Sequence, residues 1–405
     1  MSETSRRVAI VGAGIGGLTL AIALRDRGVP VEVFEQASEL REVGAAVALA
    51  ANGTRLLERL GLGDELAAVS TEPTELIYRH WRDGRRIAAH PVGSPYRDRF
   101  GAPFYGLHRV ELQRILGAAW GDDGLHLDTR LVGLREQPDG LRLEFSSGRI
   151  AEADLVVGAD GVHSAVRSWV VGDEEALYSG TSGFRGLAPI ERLPSLPDPH
   201  AVQFWMGPGA HLLHYAIGGG GVINFLAVVD GPRRWPHDSW MGRAEPGEHL
   251  AAFDGWHPAV TEMLGAVPMS PRWGLFARPP LRHWSRGGSV LLGDAAHAML
   301  PHHGQGANQT IEDAIALAAC VTAAGAGRLD EGLARYQSQR RARTRLVQRA
   351  SWAASDTLHL PDGPDADRRD RALADLPDAL AWIHGYDEEQ ARCPATDDHP
   401  AARYA

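Results

Sequence analysis

The sequence contains no lysine, so all 41 of its basic residues are arginines. Such a chain cannot bind a nucleotide phosphate with a Walker-type lysine. It also cannot form the Schiff base that pyridoxal and aldol enzymes need. Any bound phosphate or developing negative charge must therefore meet arginine side chains, backbone amides or the N-terminus of a helix.

Cysteine and basic charge are also scarce. The two cysteines, Cys320 and Cys393, are too few for a cysteine-rich zinc site or a CxxC redox centre, and they fit a reducing compartment such as the cytoplasm. The net charge of −10 argues against a nucleic-acid partner, which would need a basic face. Beyond the first apolar run no stretch is long enough to span a bilayer, so we expect no membrane partner.

The N-terminal segment predicts a strand, a helix and a second strand. Residues 8–11 form the first strand, about residues 16–27 the helix, and residues 31–35 the second strand. Two arginines before this apolar run also resemble the start of a secretory signal peptide. Because no cleavage site of small residues follows Leu24, we favour a folded nucleotide-binding unit.

Three glycines in the first turn, Gly12, Gly14 and Gly17, have the spacing GxGxxG. The first permits the tight turn, the second lets the backbone approach a pyrophosphate, and the third lets helix and strand pack closely. Glu35 ends the second strand where an acidic ribose ligand is expected, with Gln36 beside it. This motif alone fits both NAD and FAD, but a second fingerprint for a separate nicotinamide nucleotide is missing.

Two later motifs repeat the strand–turn–helix pattern. In residues 153–167 an apolar strand leads to a turn at Asp160, where a helix begins. In residues 289–314 a buried strand ends at Asp294, and a glycine-rich turn then opens a second helix. A carboxylate at the strand end can bind a ribose or ribityl hydroxyl, and the helix N-terminus directs amide donors at an electron-rich group. One tightly held dinucleotide accounts for all three motifs.

With these motifs in this order, the sequence resembles the single-component, FAD-dependent aromatic hydroxylases, the flavin monooxygenases of the salicylate and hydroxybenzoate hydroxylase type. The resemblance covers about residues 6–350. It implies FAD as cofactor, NADH or NADPH and O2 as co-substrates, and hydroxylation of an activated aromatic or heteroaromatic ring by a flavin C4a-hydroperoxide. Decarboxylative hydroxylation of a salicylate-like acid and tailoring of a natural-product phenol remain alternatives.

The resemblance also implies roles along the flavin. Asp294 would bind the ribityl chain, Pro301 would lie beside the isoalloxazine ring, and the amides of residues 304–308 would meet its pyrimidine end. A helix N-terminus there stabilises the negative charge of reduced flavin without a lysine. The cofactor-binding residues that we expect are Gly12, Gly14, Gly17, Glu35, Gln36, Val47, Arg109, Leu131, Asp160, Asp294, Pro301, Gly304, Gly306, Ala307 and Asn308.

Residues 175–285 are rich in strand-like runs and glycine turns, and they predict an antiparallel sheet that forms the floor of a substrate pocket. Strand alternation places His211 and Tyr215 on one face of this sheet and His214 on the other. The resemblance implies that His211 and Tyr215 contact an aromatic acid and help to deprotonate its phenol, because a phenolate attacks electrophilic oxygen better than a phenol does. Alternatively, they only line a half-buried sheet.

Three further side chains are candidates for the site. His302 could act as a base from the flavin side, and His303 could contact the substrate there. Arg185 could hold a substrate carboxylate with two hydrogen bonds or could form a surface ion pair. We expect no metal site, because adjacent histidines in a tight turn cannot easily bind one ion. His297 is expected to be structural and hydrogen-bonded within its turn. Apolar residues after the turn at 41–45 suggest an apolar pocket.

The predicted fold class is α/β: a Rossmann-like FAD-binding domain interleaved with a β-sheet substrate domain and followed by C-terminal helices. We expect the FAD domain in residues 1–174, together with part of the substrate region, and again in residues 286–360. The mainly β substrate domain occupies residues 175–285, and residues 361–405 form a peripheral segment. The arginine-rich helix after residue 330 is expected to present a solvated face. The protein is expected to be a monomer or a homodimer.

Other classes fit less well. Flavin halogenases share this fold but use a lysine, which this chain lacks. A plain NAD dehydrogenase would not explain the motif at residues 291–314. A non-catalytic FAD-binding protein should lack the paired His211 and Tyr215 and should not oxidise NAD(P)H.

Overall fold

The structure is a computed structural model that describes residues 6–40, 46–267, 271–325 and 327–390. The turn at 41–45, Cys393 and the last residues of the C-terminal segment lie outside the described residues. The strands are β1 (Val8–Val11), β2 (Val31–Phe34), β3 (Ala46–Leu49), β4 (Glu75–His80), β5 (Arg86–Pro91), β6 (Tyr105–His108), β7 (Leu125–His126), β8 (Leu131–Gln137), β9 (Gly140–Phe145), β10 (Ile150–Ala153), β11 (Leu155–Gly158), β12 (Leu177–Pro189), β13 (Val202–Gly207), β14 (Ala210–Ile217), β15 (Val222–Asp230), β16 (Met241–Gly242), β17 (Arg272–Ala277), β18 (Ser285–Arg286) and β19 (Ser289–Leu291).

Helices connect and cover these strands. They are α1 (Ile15–Arg25), α2 (Ala51–Arg59), α3 (Gly63–Val69), α4 (Ser94–Phe100), α5 (Arg109–Trp120), α6 (Ala165–Val171), α7 (Glu248–Ala251), α8 (Pro258–Gly265), α9 (Asp294–His297), α10 (Gly306–Ala324), α11 (Leu329–Leu358), α12 (Pro364–Ala372) and α13 (Leu376–His384). Single turns of 3-10 helix occur at Gly161–His163, Ile190–Arg192, Gly218–Gly220, Pro301–His303 and Leu373–Asp375. None of the helices within the described ranges is long and apolar enough to cross a membrane.

A sheet of six strands forms the centre of the first domain, with the order β18-β19-β11-β1-β2-β7, and it is parallel except for the edge strand β18. The strand β1 pairs in parallel with β11 and β2, and β19 continues the parallel sheet beyond β11. The strand–helix–strand unit predicted at the N-terminus is therefore confirmed, with helix α1 two residues shorter at its end. Because the carboxyl ends of parallel strands lie at one edge, the three predicted turns meet there.

A second sheet of eight strands has the order β16-β17-β12-β15-β14-β13-β4-β5. Its pairs are antiparallel except for β13 with β4. Two of its strands, β4 and β5, come from the N-terminal third of the chain. One face packs on α8, and the other face, which carries Tyr215, turns toward the first domain. The interleaved α/β architecture is confirmed.

The prediction of a solvated arginine face on α11 is wrong for two residues. Arg340 has no exposed side-chain surface, and it pairs with Glu312 at 2.6 Å, Asp313 at 2.7 Å and Glu388 at 2.7 Å. Arg343 pairs with Glu312 at 2.6 Å. Burial alone would raise the pKa values of Glu312 and Asp313, but their cationic neighbours hold both below the usual value. A one-dimensional run of arginines does not reveal which of them faces buried carboxylates on α10.

The C-terminal segment is also not peripheral over residues 364–390. Glu388 is buried against Arg340. Ile383 and His384 of α13 are buried as well, and Nδ1 of His384 lies 3.1 Å from the hydroxyl oxygen of Tyr96. The segment is rich in aspartate and proline, which suggested a surface position, but Leu373 and Ile383 are buried, and Leu376, Leu380 and Trp382 are partly buried.

We expect Arg340→Met to lower the free energy of unfolding by about 3–5 kcal/mol, because it leaves buried carboxylates without their cation. Urea unfolding at saturating FAD measures the change. Arg345→Met is the matched control, since Arg345 lies on the exposed face of the same helix and its loss should cost less than about 0.5 kcal/mol. Equal effects of the two substitutions would contradict a structural role for the buried cluster.

Candidate active site

The first glycine turn is closed by backbone on two sides. Gly12 has a φ of +105°, and a Cβ there would lie 2.5 Å from the carbonyl oxygen of Ala159. A Cβ on Gly17 would lie 1.9 Å from the carbonyl oxygen of Gly12. Gly14, which has no side chain to cap the amides, precedes α1 and lines the adjoining cleft. The turn therefore offers free backbone donors at close range, as a pyrophosphate site requires.

Glu35 directly follows β2 at the edge of this turn. One oxygen of its carboxylate accepts the amide of Ala13 at 2.8 Å, and the other accepts the amide of Ala37 at 2.9 Å. These bonds fix the carboxylate beside the glycine turn, where a ribose diol can share its remaining lone pairs. Gln36 is exposed next to it.

The second motif, the turn at Asp160, presents its backbone to the cleft. The Asp160 carboxylate accepts hydrogen bonds from the Ser164 hydroxyl at 2.5 Å and from the Ala165 amide at 2.7 Å, so it closes the turn before α6. Its neighbours Ala159 and Gly161 line the cleft. A contact from this motif to a cofactor would therefore come from the backbone around Asp160 rather than from its carboxylate.

The third motif is held by Asn308 in the first turn of α10. The side-chain oxygen of Asn308 accepts the Ala50 amide at 2.9 Å, and its nitrogen donates to the carbonyls of Ala48 at 3.1 Å and Gly304 at 2.9 Å. Asn308 thus ties the glycine loop to β3. Gln305, which precedes α10, does not cap it with its side chain, so the amides at the start of the helix face the cleft.

These motifs surround a cleft of about 310 Å³ between the parallel sheet and the second sheet. Of the expected cofactor residues, those in its wall are Gly14, Val47, Arg109, Asp294, Pro301, Gly304, Gly306 and Ala307. Three other expected residues, Gly12, Gly17 and Asn308, do not line the cleft but hold its wall in place through close packing and hydrogen bonds. Leu131 is buried in the core of the first domain. The cleft fits a dinucleotide, since it joins two open helix N-termini, the carboxylate of Asp294 and the arginine Arg109. Asp294 is the first residue of α9, and β19 already ends at Leu291, so this acid does not end the strand as the sequence suggested.

A second cavity, of about 300 Å³, adjoins the cleft. The two share the wall residues Ala48, Leu213, Tyr215 and Gly304. Most of the second cavity is apolar and aromatic. Its larger side chains are Leu76, Tyr78, Val92, Tyr96, Phe100, Phe104, Val202, Phe204, Leu376 and Leu380. The apolar pocket suggested by the sequence is present.

Tyr215 lies at the junction of the cleft and the cavity. Its ring occupies space that Gly106 leaves free, because a Cβ at Gly106 would come within 2.8 Å of it. Burial raises the pKa of Tyr215, although Arg185 opposes the shift. Tyr215 therefore keeps its phenolic proton and acts as a hydrogen-bonding group.

Arg185 lines the cleft near Tyr215, and its guanidinium lies 5.3 Å from the centre of the Trp273 ring. Desolvation and the neighbouring charge of Arg109 lower the pKa of Arg185. Two arginines thus face the cleft.

Four histidines line the cavity: His90, which donates to the carbonyl of Leu373 at 2.8 Å, and His302, His303 and His384, whose pKa values are lowered. Burial and nearby histidines lower the pKa of His302 to about 3, and burial lowers that of His384 to about 3. The pKa of His303 is also lowered by burial. Neither ring nitrogen of His302 has a hydrogen-bond partner among the residues that the structure describes. The three imidazoles with lowered pKa values are therefore neutral near pH 7, and each can accept a hydrogen bond.

His211 does not line the cavity but lies directly behind His302, which does. It shares the Tyr215 face of β14, as alternation predicts, but its ring packs edge-to-face on His302 with the centres 5.2 Å apart. Its Nδ1 lies 2.7 Å from Nε2 of His359. His214 is on the opposite face, where burial lowers its pKa to about 3. His211 is thus placed to act through His302 rather than by direct contact.

His297 bonds to a partner outside its own turn. Its Nε2 lies 2.5 Å from the Asp313 carboxylate on α10, and both side chains are buried. The expected structural role holds, but the expected bond within the turn does not. No group of three or more histidine, cysteine or acidic side chains in the described part of the chain is arranged to hold a metal ion.

Sequence reasoning missed several residues of the cavity. The missed residues are Tyr78, Tyr96, Phe204 and His384 in the cavity wall, and His359, which lies outside the wall and bonds to His211. They come from β4, α4, β13, the residue after α11, and α13. None lies in a recognisable motif, and only the fold brings them together.

Comparison with known proteins agrees with this geometry. Residues 5–351 match the family described as an FAD binding domain. The chain belongs to this family. It is 42% identical over 388 residues to the 3-amino-4-hydroxybenzoate 2-monooxygenase of Streptomyces cremeus, covering 95% of this chain and 96% of that protein. A 3-amino-4-hydroxybenzoate 2-monooxygenase of Streptomyces platensis is 40% identical over 391 residues, covering 96% of this chain and 98% of that protein.

A solved salicylate hydroxylase in complex with substrate superposes with a TM-score of 0.82 at 28% identity, over 98% of this chain and all of that chain. Relatives that align along nearly the whole chain are aromatic hydroxylases. This member of the family is therefore an FAD-dependent monooxygenase that hydroxylates aromatic rings, with NAD(P)H and O2 as co-substrates.

We expect Glu35→Gln to weaken FAD binding about tenfold, because a hydrogen bond to a charged group contributes about 1.5–3 kcal/mol and the neutral amide replaces it only in part. Titration of the apoprotein, followed by quenching of flavin fluorescence, gives the Kd. Glu32→Gln is the matched control, since Glu32 lies on β2, just before Glu35, but is exposed and binds His126 and Arg149. An unchanged Kd for Glu35→Gln would show that this carboxylate does not bind the cofactor.

Proposed function

We propose that this monooxygenase hydroxylates 3-amino-4-hydroxybenzoate, or a benzoic acid with the same phenol, at the carbon next to the carboxylate. The two Streptomyces relatives named for this reaction support the proposal. The observation that carries it is the aromatic cavity that opens onto the cofactor cleft beside Tyr215 and contains three neutral histidines. A cavity of roughly 150 Å³ already holds benzene, so about 300 Å³ accommodates one substituted ring.

The polar groups of the cavity match this substrate. A phenol with a neighbouring amine presents several N–H and O–H donors. The neutral imidazoles of His302, His303 and His384 are acceptors of the kind that these donors need. We assign the catalytic roles to His302 and Tyr215 at the junction, with His211 behind them, and substrate contacts to His303.

Arg185 is proposed to bind the substrate carboxylate. It lies in the wall of the cleft near Tyr215, and its planar group can donate two parallel hydrogen bonds. Stacking on Trp273 restricts its motion, so little freedom is lost when the carboxylate arrives.

When bound, FAD supplies the two-electron chemistry by which NAD(P)H and O2 deliver an electrophilic oxygen to the ring. The protein contributes orientation, exclusion of water and removal of a proton. The aromatic walls keep water from the reacting atoms. His302, with its free ring nitrogens, can accept the phenolic proton, and the Tyr215 hydroxyl can hydrogen-bond to the phenolate that forms.

The proposed partner is thus one small aromatic molecule, and neither a nucleic acid nor a membrane. We propose that the enzyme works in the cytoplasm, where NAD(P)H is available, as a monomer or a homodimer. The net charge of −10 and the small number of cysteines support these assignments.

We expect 3-amino-4-hydroxybenzoate to stimulate NADH or NADPH oxidation by the FAD-loaded enzyme at least about tenfold, since general-base removal of the phenolic proton contributes about 10²–10⁴-fold. Product masses, peroxide and released CO2 should be measured in the same reactions. The product should gain one oxygen atom, with little peroxide and no CO2.

3-Aminobenzoate is the matched control, because it lacks only the phenol. It should be hydroxylated more slowly and with more peroxide, because only its amino group then activates the carbon next to the carboxylate. Release of CO2 would indicate a decarboxylative hydroxylase instead. A lack of stimulation by any phenolic acid would contradict the proposal.

A further inference from the structure

We propose that a groove between α11 and the loop that joins β17 to β18 binds the phosphate groups of the nicotinamide co-substrate, and that it favours NADPH over NADH. Four arginines line this groove, which we call the arginine groove: Arg282, Arg341, Arg345 and Arg349. The inference rests on the use of NAD(P)H by this monooxygenase and is independent of which aromatic acid is hydroxylated.

The arginine groove is large and separate from the sites described above. Its volume is about 740 Å³, compared with about 310 Å³ for the cofactor cleft and about 300 Å³ for the aromatic cavity. Among the residues that the structure describes, no wall residue of the groove also lines the cleft or the cavity. A ligand in the groove would therefore not compete for space with FAD or with the aromatic ring.

The charge in the groove has one sign. Arg341, Arg345 and Arg349 follow one another at intervals of four residues, which places them on one face of α11, and Arg282 belongs to the loop wall. No carboxylate occurs in the described wall, and none of the four arginines forms an ion pair with another described residue. Like charges four residues apart on a helix repel each other, so a bound anion stabilises this arrangement. In a chain of net charge −10, the groove is a local positive field that attracts anions.

Hydrogen bonds hold the two walls of the groove in position. Nε of Arg341 donates to the carbonyl of Leu281 at 3.2 Å, and the amide of Trp284 donates to the side-chain oxygen of Gln337. At the other end, the side chain of Gln348 donates to the carbonyl of the residue after α9 at 3.2 Å. A groove with fixed walls loses little conformational freedom when a ligand binds, and this favours affinity.

The groove lies about one helical turn from the cofactor cleft. Ala296 and His297, at the end of α9, line the groove, and Asp294, at the beginning of α9, lines the cleft. Since a helix rises about 1.5 Å per residue, α9 spans roughly 6 Å. In a nicotinamide dinucleotide the reactive ring is carried on a ribose beyond the pyrophosphate. Phosphates bound in the groove therefore leave the ring within reach of the cleft.

The charge of the nucleotide matches the groove. NADPH carries a pyrophosphate and a 2′-phosphate, about four negative charges near neutral pH, and NADH lacks the 2′-phosphate. The chain has no lysine and no second GxGxxG turn for this nucleotide, and arginine binds phosphate oxygens with two parallel hydrogen bonds. An aromatic acid presents one carboxylate and would leave most of the four arginines unpaired. The number of arginines thus favours NADPH as the occupant.

The test measures the binding of NADP+ and NAD+ to the FAD-loaded protein by isothermal titration calorimetry. These oxidised nucleotides do not reduce the flavin, so binding is observed without turnover. We expect the wild type to bind NADP+ at least about tenfold more tightly than NAD+, because the 2′-phosphate adds a hydrogen bond between charged groups. The double variant Arg345→Gln/Arg349→Gln should bind NADP+ about tenfold or more weakly, and its preference for NADP+ should disappear.

A kinetic measurement separates binding from electron transfer. Stopped-flow reduction of FAD by NADPH is recorded in the absence of O2. The groove variant should need about tenfold more NADPH to reach half of its maximal rate, whereas the rate at saturation should equal that of the wild type. This pattern is expected because the groove holds the phosphates and does not contact the nicotinamide ring. FAD content should not change.

Arg233→Gln/Arg234→Gln is the matched control, because it removes two exposed arginines from the loop after β15, outside the groove wall. It should bind NADP+ as the wild type does, which separates local contacts from the change in net charge. Inorganic pyrophosphate should displace NADP+ from the wild type and from this control.

Three results would overturn the assignment. Equal affinity for NADP+ in the wild type and in Arg345→Gln/Arg349→Gln would exclude the groove as the phosphate site. Equal weakening in both double variants would reveal an effect of net charge alone. Tighter binding of NAD+ than of NADP+ by the wild type would contradict a site for the 2′-phosphate. None of these measurements uses an aromatic acid, so the assignment can fail while the proposed function stands.

Discussion

Two adjacent buried carboxylates on α10, Glu312 and Asp313, form the interaction on which the cleft and the cavity both depend. Asp313 accepts the amide of Gly293 and so fixes the loop between β19 and α9 at the cofactor cleft. Arg340 neutralises both carboxylates from α11. The same arginine binds Glu388, which brings the C-terminal helices over the substrate cavity. Removing Arg340 or one of the carboxylates would leave an uncompensated charge in the interior. The cluster therefore holds α10, α11, the loop between β19 and α9, and the C-terminal helices in one arrangement.

Charge is concentrated in this cluster and is low in the cavity beyond it. Tyr215 keeps its proton, and the histidines His302, His303 and His384 are neutral, because burial shifts all their pKa values toward the uncharged form. A neutral, aromatic cavity suits an uncharged phenol and excludes water from an electrophilic oxygen. It also makes a phenolate costly to form unless the proton is carried away.

The sequence predicted those parts that depend on local geometry. Each of these parts is a short motif: the glycine spacing around Gly12, the acid at Glu35 and the turn after β19. A short motif can be recognised in the sequence before the fold is known. The long-range parts were not predictable. A run of arginines does not show that Arg340 faces α10, and nothing near His384 indicates that the C-terminal segment covers a cavity. Strand alternation placed His211 and Tyr215 on one face. It could not indicate that His211 bonds to His359, which lies 148 positions further along the chain.

The most direct test of the account is the origin of the oxygen in the product. The FAD-loaded enzyme is supplied with NAD(P)H, 3-amino-4-hydroxybenzoate and ¹⁸O2, and the product is examined by mass spectrometry. The account predicts one ¹⁸O atom in the ring hydroxyl and one molecule of NAD(P)H consumed for each molecule hydroxylated. Oxygen that derives from water, or consumption of NAD(P)H that yields only hydrogen peroxide with every phenolic acid, would contradict it.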